Sequence, residues 1–279
     1  MNHEEKQYLN LMQNIINRGY ESDDRTGVGT FSEFGVQLKF SLENNTIPVF
    51  TTKRIFFKGV IEELLFFLRG ETNTKILEAR GVNIWKGNTS REFLDKLGLQ
   101  DYPEGEMGPM YGYMWRNYNE VDQIANAINL IKNDPKSRRI IISAYDPSKA
   151  HLTVLDPCHP FFQFHVEDNK LSCQFIMRSN DLFLGAPFNI LSYGILTQII
   201  AKTCGLEAGT LTYVCGNAHV YKNHVEQVKL QCSRTPYNFP QLKINKELKS
   251  IQDIESLEFK DFEIVNYEYH PAIKAEMAV

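Results

Sequence analysis

Cys158, in the run Leu155-Asp156-Pro157-Cys158-His159, is the residue whose setting most suggests chemistry. Arg178-Ser179-Asn180-Asp181 and Leu184-Gly185-Ala186-Pro187-Phe188-Asn189 follow it along the chain. A thiol attacks only as thiolate, so a nucleophilic cysteine needs a lowered pKa or positive charge nearby. Arg carries planar, paired donors that match phosphate oxygens. An Asn amide is donor and acceptor at once and can meet a uracil edge, where O4 accepts and N3–H donates. Thiol, anion binder and amide in one stretch point to covalent chemistry on a phosphorylated pyrimidine.

Each of these residue types also has an ordinary structural reading. A cysteine among apolar residues is commonly a small core filler, and Cys173, Cys204, Cys215 and Cys232 are read that way. Arg25, Arg138, Arg139 and Arg178 are the phosphate candidates, though Ser137-Arg138-Arg139 alone would pass for a solvated pair. Thr26-Gly27-Val28-Gly29 is not a P-loop, because no Lys-Ser/Thr follows it. Its amides could still help a neighbouring Arg hold an anion. Asn189 has the alternative of an ordinary helix-start Asn. His219 and Tyr221, two apart, would face one side of an extended segment and reach a ribose hydroxyl, or serve the structure alone.

These groups need a scaffold, and hydrophobic periodicity supplies its outline. Tyr8, Leu11, Met12, Ile15 and Ile16 predict a helix over 4–17 that stops at Gly19. Phe34, Val36, Leu38, Phe40 and Leu42 alternate as in a half-buried strand. A helix is expected over 57–69, closed by Gly70, with Glu62 and Glu63 beside its apolar run. Residues 72–130 read as mixed and loop-rich, with a further helix near 121–133. Short strands are expected at Arg139–Ala144 and Leu152–Leu155, the second ending just before Cys158. Phe161–Val166 and Leu171–Met177 flank a hairpin signal at Glu167-Asp168-Asn169-Lys170. Pro187 would open a long helix, apolar nearly all round and therefore buried, ending near Gly205. Thr210–Cys215 reads as a strand and Tyr221–Gln231 as a helix. The simplest class is α+β: one domain over 1–279, a large twisted β-sheet packed by helices.

Composition narrows the partners. Hydrophobic residues make up 43% and charged residues 23% of the 279, enough for a sizeable core. The net charge of −4 argues against a general nucleic-acid surface, while a few clustered Arg suffice for one phosphate. The opening MNHEEKQYLNLMQ is polar and amphipathic, unlike a signal peptide, and no apolar run reaches bilayer-spanning length. Five cysteines, an odd number, are expected as free thiols in a reducing, cytoplasmic compartment. No CxxC occurs, and His219 and His224 are five apart, so no metal is expected.

Taken together these residues resemble the thymidylate synthase family, the folate-dependent, non-flavin kind. The likeness runs through Asp24-Arg25-Thr26-Gly27, Glu63-Leu64-Leu65, Asn83-Ile84-Trp85, Gly108-Pro109-Met110-Tyr111-Gly112 and Ser137-Arg138-Arg139. It continues in Pro157-Cys158-His159, Gln163-Phe164, Arg178-Ser179, Asp181, Leu184-Gly185, Pro187-Phe188-Asn189, His219-Val220-Tyr221, Asn223-His224 and Met277-Ala278-Val279. Three positions depart from it: Met177 replaces a usual Gln, Lys86 follows Trp85 where an acidic residue is usual, and Asp156 precedes Pro157.

The resemblance implies reductive methylation of dUMP to dTMP, with 5,10-methylenetetrahydrofolate as carbon donor and reductant. Cys158 would add to C6 of the pyrimidine. Arg25, Arg178 and Ser179 would bind phosphate, with Arg138 and Arg139 reaching in from the partner of a homodimer whose sheets stack back to back. Asn189 would read the base, and His219 and Tyr221 would hold the ribose. Glu63 would organise water and proton transfer near O4, supported by Tyr111 and His159. Asp181, Trp85, Leu184, Gly185 and Phe188 would line the folate site, with Ala278 closing over it. A sister activity, dUMP hydroxymethylation with water capturing the methylene, shares the thiol addition. A binding protein without turnover is the alternative from another class, and intact Cys158, Glu63 and Asn189 argue against it.

Overall fold

The computed structural model describes residues 2–24 and 26–276. Arg25, Ala278 and Val279, all named above, lie outside the described residues.

The chain opens with helix α1 (His3–Arg18), capped by the Asn2 side chain on the Glu5 amide. Strands β1 (Tyr20–Ser22) and β2 (Thr30–Ser41) follow, then helices α2 (Phe57–Leu68), α3 (Lys75–Ala79), α4 (Arg91–Lys96), α5 (Tyr111–Asn117) and α6 (Gln123–Asn133). Strands β3 (Ile141–Ser143), β4 (Phe161–Glu167) and β5 (Lys170–Asp181) lead into helix α7 (Gly185–Thr203) and strand β6 (Glu207–Tyr221). Helix α8 (Val225–Cys232), strand β7 (Gln241–Ile244), helix α9 (Ile251–Glu255) and strand β8 (Phe262–Val265) complete the order.

Six strands form one sheet in the order β1-β2-β6-β5-β4-β3. All its pairs are antiparallel except β5 with β6. That parallel pair needs a crossover, which α7 supplies while packing on both strands. The β4–β5 hairpin turns through Asp168 and Asn169 at φ 47° and 61°, the left-handed region that a tight primed turn needs. The core fills the space between the sheet, α1, α2 and α7. Phe40, Phe162, Phe175 and Leu211 face it from the strands, all at 0% exposure. Buried Glu5 ties α1 to the segment before α2 by accepting N–H and O–H bonds from Thr51 and Thr52.

The α+β class, α1, α2, α6, the hairpin and the buried crossover helix agree with the sequence reading. Several boundaries do not. Leu152–Leu155 is no strand: a 3₁₀ turn covers Ala150–Leu152, and the chain runs irregularly to Pro160. Cys158 therefore sits in a loop entering β4. β3 is shorter than the expected 139–144, while β6 runs well past Cys215, so that Tyr221 ends a strand rather than opening a helix. Helix α7 starts at Gly185, which places Asn189 inside its second turn and removes the helix-start explanation for that residue. Phe34 breaks its own alternation. Gly35 sits at φ 83°, and Phe34 turns outward to 86% exposure over Gly216.

Candidate active site

The ends of β5, β6 and β2 lie side by side at one end of the sheet. Register places Ser179 beside Asn217 and Asp181 beside His219, with Ser32 opposite His219 and Thr30 opposite Tyr221. Arg178 and Ser179, with His219 and Tyr221, thus share one edge of the molecule.

Cys158 is brought to this edge by Arg178. The guanidinium donates to the Pro157 carbonyl at 3.0 Å and the Asp156 carbonyl at 2.7 Å, and stands 3.6 Å from the Cys158 thiol. The Arg178 amide also donates to the Cys158 carbonyl at 2.8 Å. One arginine therefore fixes the loop and sets a permanent positive charge beside the sulfur, the environment that favours thiolate. The other four thiols behave differently. Burial pushes Cys173 up to about 12 and Cys204, Cys215 and Cys232 to about 11, which keeps them protonated.

Behind the nucleophile runs a stack of rings rooted in the sheet. Phe175 on β5 stacks on Tyr193 of α7 at 4.1 Å and 9°. The Tyr193 hydroxyl meets His159 Nδ1 at 2.8 Å, and His159 stacks on Tyr111 at 3.9 Å and 6°. The Tyr111 hydroxyl accepts the Cys158 amide N–H at 2.8 Å. Burial holds His159 down to about 3, so the ring is neutral at pH 7 and positions rather than titrates. The Tyr111 phenol is pushed well up, first by burial and then by the neighbouring Cys158.

Glu63 reaches the same ring group from α2. Its carboxylate accepts the Trp85 indole N–H at 2.6 Å, and Trp85 lies 6.3 Å from the Tyr111 ring. Burial raises Glu63 to about 7 against the pull of that hydrogen bond. A carboxyl poised there can take up and release a proton at neutral pH. Its sequence neighbour Glu62 is occupied in a 2.8 Å ion pair with Arg80.

Asn189 and the folate candidates cluster at the start of α7. The Asn189 amide has no hydrogen-bond partner among the described residues and is only partly buried, so both its donor and its acceptor are available. Gly185 leaves room here: a Cβ would come within 2.7 Å of Asn180 Oδ1 and 3.8 Å of Asn189 Oδ1. Leu184 and Phe188 are partly buried apolar surface. One Asp181 oxygen accepts the Phe183 amide at 2.8 Å, and the other accepts no hydrogen bond among the described residues, with Lys53 and His219 close enough to feel the carboxylate's charge. An apolar, aromatic surface beside that carboxylate oxygen suits a flat heterocycle bearing N–H donors.

One expectation needs correction, and another concerns a second subunit. The amides of the Gly-rich loop are not available to a bound anion, because Thr26 and Gly29 donate to the Asp24 carboxylate and Gly27 to the Asp24 carbonyl. Arg138 and Arg139 do not join Cys158 within one chain. They precede β3 at the level of Leu171–Ser172, roughly 20 Å along the sheet from Arg178 by strand rise. Both are exposed and without side-chain partners among the described residues.

Some neighbours escaped the sequence reading. Lys53 is 5% exposed, donates to the Phe183 carbonyl and lies 3.6 Å over the Phe183 ring. Burial lowers it to about 7, opposed by Asp181. Asn217 Oδ1 accepts from His219 Nδ1 at 3.0 Å, and the His219 and Tyr221 rings meet edge to face at 5.2 Å. A lone Lys after two Thr and an Asn two before a His carry little signal by themselves. Among the described residues no group of three His, Cys, Asp or Glu is placed to hold a metal ion, and no helix is long and apolar enough to cross a membrane.

The thymidylate synthase family model matches residues 6–279. Thymidylate synthase 1/2 of Encephalitozoon cuniculi is 46% identical, with 99% of this chain aligned to 98% of that protein. The bifunctional dihydrofolate reductase-thymidylate synthase of Zea mays is 48% identical, and enzyme 2 of that name from Arabidopsis thaliana 49%. In these two, 99% of this chain aligns to 55% and 51% of the relative, so the chain spans about half their length.

Proposed function

The chain belongs to the thymidylate synthase family, and from that premise we propose that it converts dUMP to dTMP with 5,10-methylenetetrahydrofolate as cosubstrate. The observation that carries the reading is the Cys158 thiol held 3.6 Å from the Arg178 guanidinium, on a loop that the same arginine anchors.

Cys158 adds to C6 of the uracil ring, and negative charge develops at C5 and O4. The unpartnered Asn189 amide meets O4 and N3–H, which stabilises that charge and selects uracil over cytosine. Glu63, raised to about 7, holds and returns the proton near O4 through water. Arg25, Arg178 and Ser179 bind the phosphate, and His219 with Tyr221 the ribose. Tyr111 and His159 keep the Cys158 backbone in place. Trp85, Asp181, Leu184, Gly185 and Phe188 would hold the folate, with Ala278 closing the site. When bound, the folate supplies both the one-carbon unit and the reducing equivalents.

We read residues 1–279 as one catalytic unit that works as a homodimer. Its open sheet face carries Phe34 and the partly exposed Ile176 and Val214, apolar surface that suits a second copy. The distance between Arg138–Arg139 and Arg178 favours their donation to the partner's site. Five free thiols fit a cytoplasmic setting. A hydroxymethylase finds no support among the relatives. The deciding experiment incubates protein, dUMP and methylenetetrahydrofolate and weighs the nucleotide product. A methyl product with dihydrofolate supports the reading, and a hydroxymethyl product with tetrahydrofolate overturns it.

A further inference from the structure

His224 has no part in the chemistry above, yet it is 1% exposed and touches three segments around the site. It ends the 3₁₀ turn Lys222–His224 that follows β6. Its ring lies 5.4 Å from Phe183 and 5.8 Å from Tyr221. Its Nε2 lies 2.7 Å from the Glu276 carbonyl, which can only accept, so Nε2 carries the proton. Nδ1 is buried without a partner among the described residues.

Residues 266–276 run along the body as a strap with discrete fixings. The Tyr267 hydroxyl donates to the Phe50 carbonyl at 2.9 Å, and the His270 amide to the Thr51 carbonyl at 2.8 Å. Arg234 donates to the Pro271 carbonyl at 2.7 Å. Beyond Pro271, the next polar fixing is His224 on Glu276. An imidazole that buries one nitrogen unpaired is a poor choice for packing alone, where an apolar ring would serve better. What the imidazole adds is the bond to Glu276.

We propose that His224 is a positioning residue: its Nε2–H pins the strap at Glu276 against Phe183, and so sets the shape of the Asp181–Gly185 segment that faces folate. This rests on the proposed function for its kinetic consequence, but the anchoring itself does not. Three variants separate the roles. H224F keeps the ring and loses the donor, H224Q places an amide N–H where Nε2 was, and H224N places one where Nδ1 was.

The test combines hydrogen exchange of the C-terminal peptide, steady-state kinetics and dUMP binding by calorimetry. H224F should speed exchange over 272–276 and raise the KM for methylenetetrahydrofolate, each about five- to tenfold, the worth of one buried hydrogen bond. The dUMP dissociation constant should stay within about twofold of wild type, because the loss of one bond at the strap leaves the nucleotide contacts in place. H224Q should restore both readouts and H224N neither. Unchanged exchange in H224F, equal behaviour of H224Q and H224N, or a matched loss of dUMP binding and melting temperature would each overturn the proposal. If wild-type protein makes no dTMP, the functional reading fails, and the exchange result alone still decides the anchoring.

Discussion

Arg178 does two things with one side chain: it ties down the carbonyls of Asp156 and Pro157 and it places a charge beside Cys158. Asn189 is the complement, a polar group left without protein partners where its helix neighbours are apolar. Replacing it with Asp exchanges an amide donor for an acceptor-only group, which faces O4 of uracil badly and N4–H₂ of cytosine well. N189D should shift relative binding from dUMP towards dCMP by about tenfold or more, the scale of a mismatched buried hydrogen bond. Competition calorimetry with both nucleotides checks this, and an unmoved ratio refutes the base-reading role.

Glu63 carries a stability cost that is also its usefulness. Its pKa rises from 4.5 to about 7 on folding. Below about pH 4.5 both states are protonated and the cost is absent. Between about pH 4.5 and 7 the unfolded carboxyl ionises while the buried one keeps its proton, so stability falls by about 3 kcal/mol over that window and the loss is complete above pH 7. E63Q keeps an acceptor for Trp85 and cannot ionise. It should unfold at higher urea than wild type at pH 8, match it near pH 4, and lose most of its turnover. Urea titrations at the two pH values measure the first two outcomes.

At the scale of elements, the stack Phe175–Tyr193–His159–Tyr111 transmits the rigidity of β5 and α7 to the Cys158 loop. Y193F preserves the stack and deletes the hydroxyl, leaving His159 Nδ1 buried and unpaired. It should cost about 1–3 kcal/mol in urea unfolding and lower kcat more than it raises the KM for dUMP. Equal stability and kinetics would mean that His159 is held by stacking alone.

Hydrophobic patterning made α1, α2, α6, α7 and the Asp168-Asn169 hairpin legible, because α1 and α6 each bury one face, α2 and α7 are apolar over most of their surface, and the hairpin turns through residues that tolerate positive φ. It failed where tertiary contacts choose the conformation. Leu152–Leu155 is a short apolar run that packs without pairing, and α3, α4 and α5 are too short to show a period. The far half of β6 was hidden because Gly216, Asn217 and His219 are poor strand formers held by their neighbours. Cys158, Arg178 and Asn189 stood out by chemistry and order. The Tyr193–His159 bond and buried Lys53 needed the fold, since their meaning lies in partners distant along the chain.

At the scale of the whole molecule, the separation of Arg138–Arg139 from Arg178 makes the single chain an incomplete phosphate clamp under the proposed reading. A mixture of C158A with R138A/R139A protein, each inactive alone, should regain activity on subunit exchange. Half of the dimers would then be mixed, each with one site holding Cys158 and both arginines, for about a quarter of native activity. Assays before and after reassociation test this; no recovery would place the arginines outside the partner's site.

The central claim is a transient bond between Cys158 and C6 of the uracil ring. A 5-fluoro analogue of dUMP carries fluorine where a proton must leave, so with methylenetetrahydrofolate the adduct should persist. Mass spectrometry of the digested protein should find nucleotide plus folate on the Cys158 peptide and nothing on C158A. An unmodified Cys158 peptide, or an adduct on Cys173, Cys204, Cys215 or Cys232, would contradict the account.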